Sequence, residues 1–241
     1  MKYSIVIPAF NEEKLLADSL NRIKQSLVES IPPGHEYELI LCDNNSTDRT
    51  AEIARKAGAK VVFEPVNQIS RARNTGAAAA NGDYLVFIDA DSYPSPELFK
   101  ELFKAIDCKN VVGGGALVYL QPSDIFSAAA LYLWRTISCL CTWAAGSFVF
   151  CRRDIFIELG GFSTELYASE EIDFSKRLKS FLSYTKAGKA TILRTAILTS
   201  DRKLKLYGSK DYLKLLWRLI FQGKKILRDP HFLHIWYDGR R

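Results

Sequence analysis

Short apolar runs alternate with amphipathic stretches along the first half of the chain. Strand-like runs occupy residues 4–7, 37–42, 60–63 and 84–88, and apolar residues recur at helical spacing over 12–30, 47–58 and 69–80. Gly58 is predicted to end the second of these helices. Apolar strands separated by helices are typical of a parallel sheet that is covered on both faces. We therefore predict an α/β fold with a single Rossmann-like, mostly parallel sheet flanked by helices.

Polar clusters follow three of the predicted strands. Pro8 to Glu12 come after the first strand, Asp43 to Asp48 after the second, and Asp89-Ala90-Asp91 after the fourth. Ligands of open parallel sheets bind beyond the carboxyl ends of the strands, so this edge is the predicted binding site. Two carboxylates one residue apart suit hard divalent cations, although the same residues alone are equally compatible with a simple turn.

Two common nucleotide-binding motifs are missing from the sequence. No G-x-G-x-x-G follows the first strand, which disfavours a dinucleotide-binding Rossmann domain, and no G-x-x-x-x-G-K-[ST] is present, which excludes a P-loop.

The second half of the chain departs from the alternating pattern. After the glycines at 113–115 the sequence becomes aromatic and irregular as far as Phe162. We predict that the glycines form a bulge and a bend in an antiparallel strand. Residues 1–115 and 116–200 would form two parts of one domain, the second of which shapes the site of a second substrate, and 201–241 would form a basic C-terminal segment. The apolar stretch Leu131 to Phe150 contains Arg135 and several polar residues, and is predicted to be buried protein rather than a membrane span.

Charge separates the C-terminal segment from the rest of the 241 residues. Residues 202–241 contain 11 Lys or Arg and 3 Asp, a balance of +8, so the remainder of this +6 chain carries about −2. Apolar residues recur among these cations at roughly helical spacing from Tyr207 to Tyr237. Such a segment could lie on an anionic membrane surface or pack back on the body. The basic charge does not favour a nucleic-acid-binding body.

Cysteine usage and the N-terminus bear on location. The five cysteines are odd in number and lie mostly among apolar neighbours, which favours reduced core thiols. Met1-Lys2 leads directly into a strand without a signal peptide, so the expected location is cytoplasmic, with association with the inner face of the membrane as a possibility.

The motifs together resemble glycosyltransferase family two, the inverting nucleotide-sugar enzymes of the GT-A fold. The resemblance covers roughly residues 3 to 180. It rests on 4–12, 43–50, 71–76 and 82–91, and it continues through 146–153, 160–162 and 170–173 in the family's order. It implies a nucleotide-sugar donor, UDP-linked first and GDP-linked second. The implied acceptor is a glycan, lipid or small molecule, and no nucleic acid is expected.

The resemblance assigns a donor site. Its nucleotide-binding residues would be Pro8, Ala9, Phe10, Glu12, Asp43, Asn45, Arg71, Asn74, Asp89 and Ala90. Asp91 and Asp89 would hold Mn²⁺ or Mg²⁺, with Asp201 as a substitute for the third ligand that relatives supply. Several alternatives remain open. Pro8 and Phe10 could simply end a strand, and Asp43 could cap a helix near Thr47, although Ser46 is the better placed cap. Arg71 and Arg73 could contact phosphate or a base, or be solvated residues at a helix start.

The resemblance also assigns an acceptor side. The family's Glu-Asp-x-Asp aligns with Glu170 to Asp173, which makes Glu171 the expected catalytic base and Glu170 the reserve. Substrate-binding residues would be Gly146, Ser147, Trp143, Asp173 and Arg202, with Trp143 equally compatible with a core aromatic. Arg152 and Arg153 could contact phosphate or begin a helix.

Two other classes of function compete with a glycosyltransferase. A nucleotidyltransferase would need a Gly- and Arg-rich loop after the first strand, which Pro8 to Glu12 do not provide. A non-enzymatic module for membranes or nucleic acid would act through the basic C-terminal segment.

Overall fold

The structure, a computed structural model, describes residues 1–107, 110–120, 125–200 and 227–229. The strands are β1 (Lys2–Ala9), β2 (Glu36–Asp43), β3 (Lys60–Phe63), β4 (Tyr84–Ile88), β5 (Ser92–Tyr93), β6 (Val111–Tyr119), β7 (Phe148–Arg152) and β8 (Lys189–Thr199). The helices are α1 (Leu16–Val28), α2 (Thr50–Lys56), α3 (Ile69–Ala78), α4 (Pro96–Asp107), α5 (Ile125–Cys141), α6 (Arg153–Glu158) and α7 (Glu170–Thr185).

The described strands form one eight-stranded sheet in the order β3-β2-β1-β4-β7-β6-β8-β5. The first four strands run parallel to each other, β7 is antiparallel to both β4 and β6, and β6 is parallel to β8. Ile88 at the end of β4 pairs with Phe148 at the beginning of β7. The residues just before β7 therefore lie at the same edge of the sheet as the polar residues that follow β1, β2 and β4.

Helices cover both faces of the sheet and bury a separate core on each. Alternate residues of β1 divide between the two cores, with Ile5 and Ile7 on one face and Val6 on the other. Helices α1 and α4 pack on the first face, whereas α3, α6 and α7 pack on the second. Burial on both faces explains why these strands read as continuous apolar runs rather than as alternating ones.

The glycines at 113–115 lie in β6 and allow the central strands to approach closely. Gly114 has a φ of 150°, and a Cβ added there would lie 1.8 Å from the carbonyl oxygen of Thr191 in β8. The pairing register between β6 and β8 shifts between Val111 and Gly113. The pairing of β6 is therefore irregular beside these glycines, in a strand that is antiparallel to β7 and parallel to β8.

The sequence located most elements of the first half. Strands β3 and β4 have the predicted bounds, and Gly58 follows α2 with a φ of 77° as expected of a helix stop. The beginning of α2 was wrong, because the helix begins at Thr50, whose N–H donates to Oδ1 of Asp48 at 2.9 Å. The hydroxyl of Ser46 instead accepts a hydrogen bond from the Asn11 N–H at 3.0 Å.

Helix α5 corrects the prediction that residues 131–150 are buried throughout. Strand β7 is buried, but Tyr132, Leu133 and Leu140 of α5 are 76%, 59% and 78% exposed. No helix within the described ranges is long and apolar enough to cross a membrane.

Most of the basic C-terminal segment, including its predicted helix, lies outside the described residues. The short described piece, 227–229, contacts the loop before α7. The Tyr167 N–H donates to the Leu227 carbonyl at 2.7 Å, and Arg228 lies 2.9 Å from Glu165 in an exposed ion pair.

Candidate active site

The residues after β1 and β2 form one interlocked polar edge. The Asn11 N–H donates to the Ser46 hydroxyl, and Oδ1 of Asn11 accepts the Thr47 N–H at 2.8 Å. Oδ1 of the buried Asp43 accepts the Ser46 N–H at 3.1 Å. Asn11 and Asn45 both have positive φ values, 52° and 66°, a conformation that asparagine tolerates better than most residues. The two loops thus hold each other in place at the carboxyl end of the parallel strands.

The other nucleotide-site candidates from this edge lie where the strand order predicts. Pro8, Ala9 and Glu12 are buried, Phe10 is partly buried, and Asn45 is exposed. The backbone N–H of the buried Glu12 donates a hydrogen bond to the Thr50 hydroxyl at 2.8 Å.

The Asp89-Ala90-Asp91 segment leaves the sheet between β4 and β5. Asp89 and Asp91 are partly exposed, and Ala90 between them is buried. The Asp89 carbonyl accepts the Ser92 N–H at 3.0 Å, and the Asp91 carbonyl accepts the Ser200 N–H at the same distance. Backbone bonds therefore fix the turn while both side chains remain near solvent. Asp201 and Arg202, which follow Ser200, lie outside the described residues.

The arginine Arg73 is buried at the centre of the candidate site. Its side chain is 1% exposed and donates to three acceptors: Oε1 of Glu170 at 2.6 Å, Oδ1 of Asp89 at 2.9 Å and the Gly146 carbonyl at 2.8 Å. Burial lowers the pKa of this guanidinium, but the charges of Asp89, Glu170 and Glu171 outweigh that effect and hold the pKa above its ordinary value.

The two other residues singled out in α3 face different neighbours. Arg71 is partly exposed, and its Nε donates to Oε1 of Gln68 at 2.9 Å. The side chain of Asn74 bonds to the backbone of Phe162, donating to its carbonyl and accepting its N–H at 2.8 and 2.9 Å. In the described structure, Asn74 thus joins α3 to the loop before α7.

Helix α7 places two glutamates at the same edge. Ser169, the residue before the helix, has a φ of 63°, which is uncommon for a residue other than glycine or asparagine. Glu170 is 2% exposed and paired with Arg73, whereas Glu171 is partly exposed. The structure therefore separates two adjacent carboxylates into a buried, paired one and a more accessible one.

Both glutamates have raised pKa values. Burial is the main cause for Glu170, partly opposed by the charge of Arg73. Burial also raises the pKa of Glu171 to about 8, and the neighbouring charge of Glu170 adds to the effect. A carboxyl group with a pKa near neutrality is suited to accept and release a proton.

Gly146 provides space between Arg73 and Glu171. A Cβ added at Gly146 would lie 3.2 Å from Nη2 of Arg73 and 3.6 Å from Oε1 of Glu171. The carbonyl of Ser147 accepts the Asp89 N–H at 3.4 Å. The turn before β7 therefore joins the Asp89 side of the site to the Glu171 side.

The remaining candidates lie further along α7 and its neighbours. Trp143 is partly exposed, with the Lys176 ammonium 4.4 Å from its ring centroid. Asp173 accepts a hydrogen bond from Arg177 at 2.8 Å. Arg152 pairs with Tyr84 at the beginning of β4. At ~3.3 Å per residue, Tyr84 lies about 16 Å along the strand from Asp89. Arg153 is the first residue of α6. The helix-start interpretation therefore holds for this pair.

Sequence reasoning did not find the part that Arg73 plays. The only signal was its place in an alanine-rich helix, and its partners are 16, 73 and 97 residues away. It also did not find the network that holds the loop after β3, in which Asn44 donates to the carbonyls of Glu64 and Val66.

A divalent metal fits this site with few protein ligands. In the parts of the chain that the structure describes, no group of three or more His, Cys, Asp or Glu side chains is placed so that it could hold a metal ion. Asp89 and Asp91 supply a pair of carboxylates at the edge of the sheet. Mg²⁺ in phosphate-transferring sites is commonly bound by one or two carboxylates together with substrate phosphates and water. The donor set therefore suits a cation that arrives with, or is completed by, a diphosphate.

The chain belongs to glycosyltransferase family 2, since the model of that family matches residues 4–160. Over 114 residues it is 32% identical to the poly(ribitol-phosphate) beta-N-acetylglucosaminyltransferase TarS of Staphylococcus aureus strain Mu50, a match that covers 44% of this chain and 19% of TarS. Over 187 residues it is 26% identical to the glycosyltransferase AglE of Haloferax volcanii, covering 72% of this chain and 60% of AglE. The chain thus spans less than two thirds of these relatives.

Solved structures share the fold. The mannosyltransferase PcManGT from Pyrobaculum calidifontis, in complex with GDP-Man and Mn²⁺, matches with a TM-score of 0.63 and 17% identity over 98% of this chain and 73% of that one. Residues 1–349 of S. aureus TarS in complex with UDP-GlcNAc match with a TM-score of 0.61 and 22% identity over 99% of this chain and 71% of that one. The predicted GT-A fold is confirmed.

Proposed function

We propose that this protein transfers a sugar from a nucleoside-diphosphate sugar to an acceptor hydroxyl or phosphate, with inversion at the anomeric carbon. The observation that supports the proposal is that the buried Arg73 pairs with Asp89 and Glu170 and lies within the field of Glu171, while Asp91 follows Asp89 in the same turn. One pair of carboxylates suits a metal and a diphosphate, and a separate carboxylate suits the acceptor's proton.

The donor would lie across the carboxyl ends of β1, β2 and β4. Asp43 would accept a hydrogen bond from the base, and the segment Pro8 to Glu12 would line the nucleotide site together with Asn45 and Arg71. UDP-sugars are the first candidates and GDP-sugars the second, because the related structures contain UDP-GlcNAc and GDP-Man. The bond between Asn74 and Phe162 supports a role for Asn74 in shaping this site rather than in reading the base.

The diphosphate would lie beside Asp89 and Asp91. A divalent cation bound there, Mn²⁺ or Mg²⁺, would offset the negative charge that the leaving diphosphate gains. Asp91 would contact the cation directly, and Asp89, held by Arg73 through Oδ1, would lie closer to the ribose. Asp201 is proposed as a further ligand, because Ser200 just before it bonds to the Asp91 carbonyl.

Glu171 would act on the acceptor. An acceptor hydroxyl would lose its proton to Glu171 as its oxygen attacks the anomeric carbon from the face opposite the departing diphosphate. Glu171 is preferred to Glu170 because Glu170 is buried and paired with Arg73. Gly146 and Ser147 would leave room for the transferred sugar, Trp143 and Asp173 would border the acceptor, and Arg202 would reach the diphosphate.

The acceptor is proposed only as a class: a glycan, a lipid or a small molecule. The basic charge of residues 202–241 suits an anionic membrane surface, which would bring the site to a lipid-linked acceptor.

A panel of thermal unfolding measurements tests the donor site. UDP, GDP, TDP and CDP would each be added with and without Mn²⁺. One nucleotide is expected to stabilise the protein in a Mn²⁺-dependent manner, by roughly 2.7 kcal/mol at 100 times its dissociation constant. If no nucleotide gives a Mn²⁺-dependent shift, the proposed function is wrong.

A further inference from the structure

We infer that Arg73 is a positioning residue: it holds the donor-side Asp89, the Gly146 turn and the beginning of α7 in one arrangement and contacts no substrate itself. This inference deepens the proposed function and rests on it.

The burial of Arg73 argues against a direct contact with donor or acceptor. The side chain is 1% exposed, and both terminal nitrogens already donate to protein acceptors. The ring of Phe162 lies 5.4 Å from the guanidinium carbon. A phosphate could reach this group only by displacing the partly exposed Asp89 or the buried Glu170, and displacing Glu170 would leave a buried carboxylate without its partner.

The three bonds of Arg73 join three separate segments of the chain. Nη1 reaches Glu170 at the beginning of α7, and Nη2 reaches both Asp89 after β4 and the Gly146 carbonyl before β7. Glu171, the proposed base, follows Glu170 directly. Any movement of α7 relative to Asp89 would therefore have to break or stretch a charge-assisted bond to the same guanidinium.

The fork of the guanidinium is essential to this arrangement. Nη1 and Nη2 are separate nitrogens of one rigid plane, and their N–H groups point in different directions within it. A single side chain can therefore bond to acceptors on different segments. Nε is buried and has no hydrogen-bond partner among the described residues. An unpaired buried donor is unfavourable, so the orientation of the guanidinium is set by the bonds of the other two nitrogens. A lysine would keep the positive charge but not the two directions.

Arg177 offers a matched control in the same helix-and-loop region. It donates to Asp173 and to the carbonyls of Leu159 and Gly161, at 2.7 to 2.8 Å. Like Arg73, it joins a carboxylate and backbone carbonyls of another segment. No bond described for Arg177 involves Asp89, Gly146 or Glu170, and its partner Asp173 would border only the acceptor, which water replaces in the assay below. The loss of Arg177 should therefore affect folding without altering the donor side of the site.

The experiment compares Arg73→Lys with Arg177→Lys in the full chain. Calorimetry would measure the affinity for the nucleotide selected by the panel, with and without Mn²⁺. The rate of nucleoside diphosphate release from the corresponding nucleotide sugar, with water as acceptor, would give kcat and KM without knowledge of the natural acceptor. Folding would be followed by circular dichroism and thermal unfolding.

We expect Arg73→Lys to weaken the Mn²⁺-dependent affinity about tenfold and to lower kcat at least another tenfold, because both sides of the site lose their alignment. The affinity without Mn²⁺ should change less than threefold. Arg177→Lys should leave affinity and kcat within threefold of the unaltered protein. In a Glu171→Gln background, Arg73→Lys should still weaken Mn²⁺-dependent binding but should lower kcat by less than it does in the unaltered protein, since the alignment of the base no longer contributes.

The outcomes separate the inference from the proposed function. Mn²⁺-dependent binding in the unaltered protein, together with equal behaviour of the two lysine variants, overturns the positioning role alone. Absence of Mn²⁺-dependent binding in the unaltered protein contradicts both. If Arg73→Lys does not fold, the paired variant Arg73→Lys with Glu170→Gln removes the unpaired buried charge, and the same affinities and rates apply to it.

Discussion

The two carboxylate pairs of the site differ in burial, although Arg73 bonds to one member of each. Asp89 and Asp91 follow a strand, and both remain partly exposed in a turn that backbone bonds fix. Glu170 and Glu171 begin a helix, where one is buried against Arg73 and the other has a pKa raised to about 8. The difference suits two separate roles. A metal site needs ionised oxygens that can exchange water for phosphate, whereas a general base works best with a pKa near the working pH.

The helix start shows which effect dominates on the glutamate side. The positive end of a helix favours ionised acids by only about 0.3–1 kcal/mol at an exposed site. Burial and the charge of Glu170 nevertheless raise the pKa of Glu171 to about 8. The surroundings of the carboxyl group therefore outweigh the helix dipole.

The largest expected effect is on the glutamate side. Glu171→Gln should lower sugar transfer by roughly 10²–10⁴-fold because it removes general base catalysis. Nucleotide affinity, measured by calorimetry, should stay within threefold. Glu170→Gln is the comparison, and it should retain more activity than Glu171→Gln. Its rate profile should have its acid limb at lower pH, because the Glu170 charge, which adds to burial in raising the pKa of Glu171, is gone. Full turnover in Glu171→Gln would assign the base to another residue.

The next effect is on the aspartate side. Asp91→Asn should remove most of the Mn²⁺-dependent stabilisation by nucleotide, roughly 2.7 kcal/mol at 100 times the dissociation constant. Chelation of the metal from the unaltered protein should have the same effect in thermal unfolding. An unchanged Mn²⁺-dependent shift in Asp91→Asn would contradict the proposed ligand.

The raised pKa of Glu171 also predicts how stability depends on pH. The folded protein holds this proton up to about pH 8, whereas the ordinary pKa is 4.5, so the associated stability is complete below pH 4.5 and is lost as the pH rises through 8. Allowing for partial exposure, Glu171→Gln should be more stable than the unaltered protein by roughly 1–3 kcal/mol at pH 8 and nearly equal at pH 4. Denaturant unfolding at both pH values measures this, and an equal free energy of unfolding of the two proteins at pH 8 would contradict it.

The smallest expected effect concerns the space between the pairs. Gly146→Ala should lower kcat about tenfold, since its methyl group would lie 3.2 Å from Nη2 of Arg73 and would press on the alignment of the site. Gly34→Ala is the control: it has a φ of 78° but nothing within 4 Å, so it should lower stability and leave kcat unchanged. Equal rates in the two variants would mean that Gly146 is not a spacing residue.

Sequence reasoning succeeded where the determinants were local. The run of β4 is uninterrupted because that strand is buried on both faces, and the bounds of the partly exposed edge strand β3 and the helical spacing of α1 were also predicted from the local pattern. The polar residues after β1, β2 and β4 lie together because parallel strands end at one edge. Sequence reasoning failed for α5, whose apolar residues were predicted to be buried, because Tyr132 and Leu140 are exposed. Apolar composition alone does not say which face of a helix is covered.

The fold class, the edge of the sheet that carries the polar residues, and the two candidate carboxylate pairs could be predicted from the amino-acid sequence alone. The difference in burial and ionisation between those pairs depends on tertiary contacts. The bonds of Arg73 to Gly146 and Glu170 cross 73 and 97 residues, and such separations leave no periodic pattern in the chain. Burial, together with the charge of the adjacent Glu170, also sets the ionisation of Glu171, because a carboxyl group's pKa depends on the atoms that surround it in the folded chain.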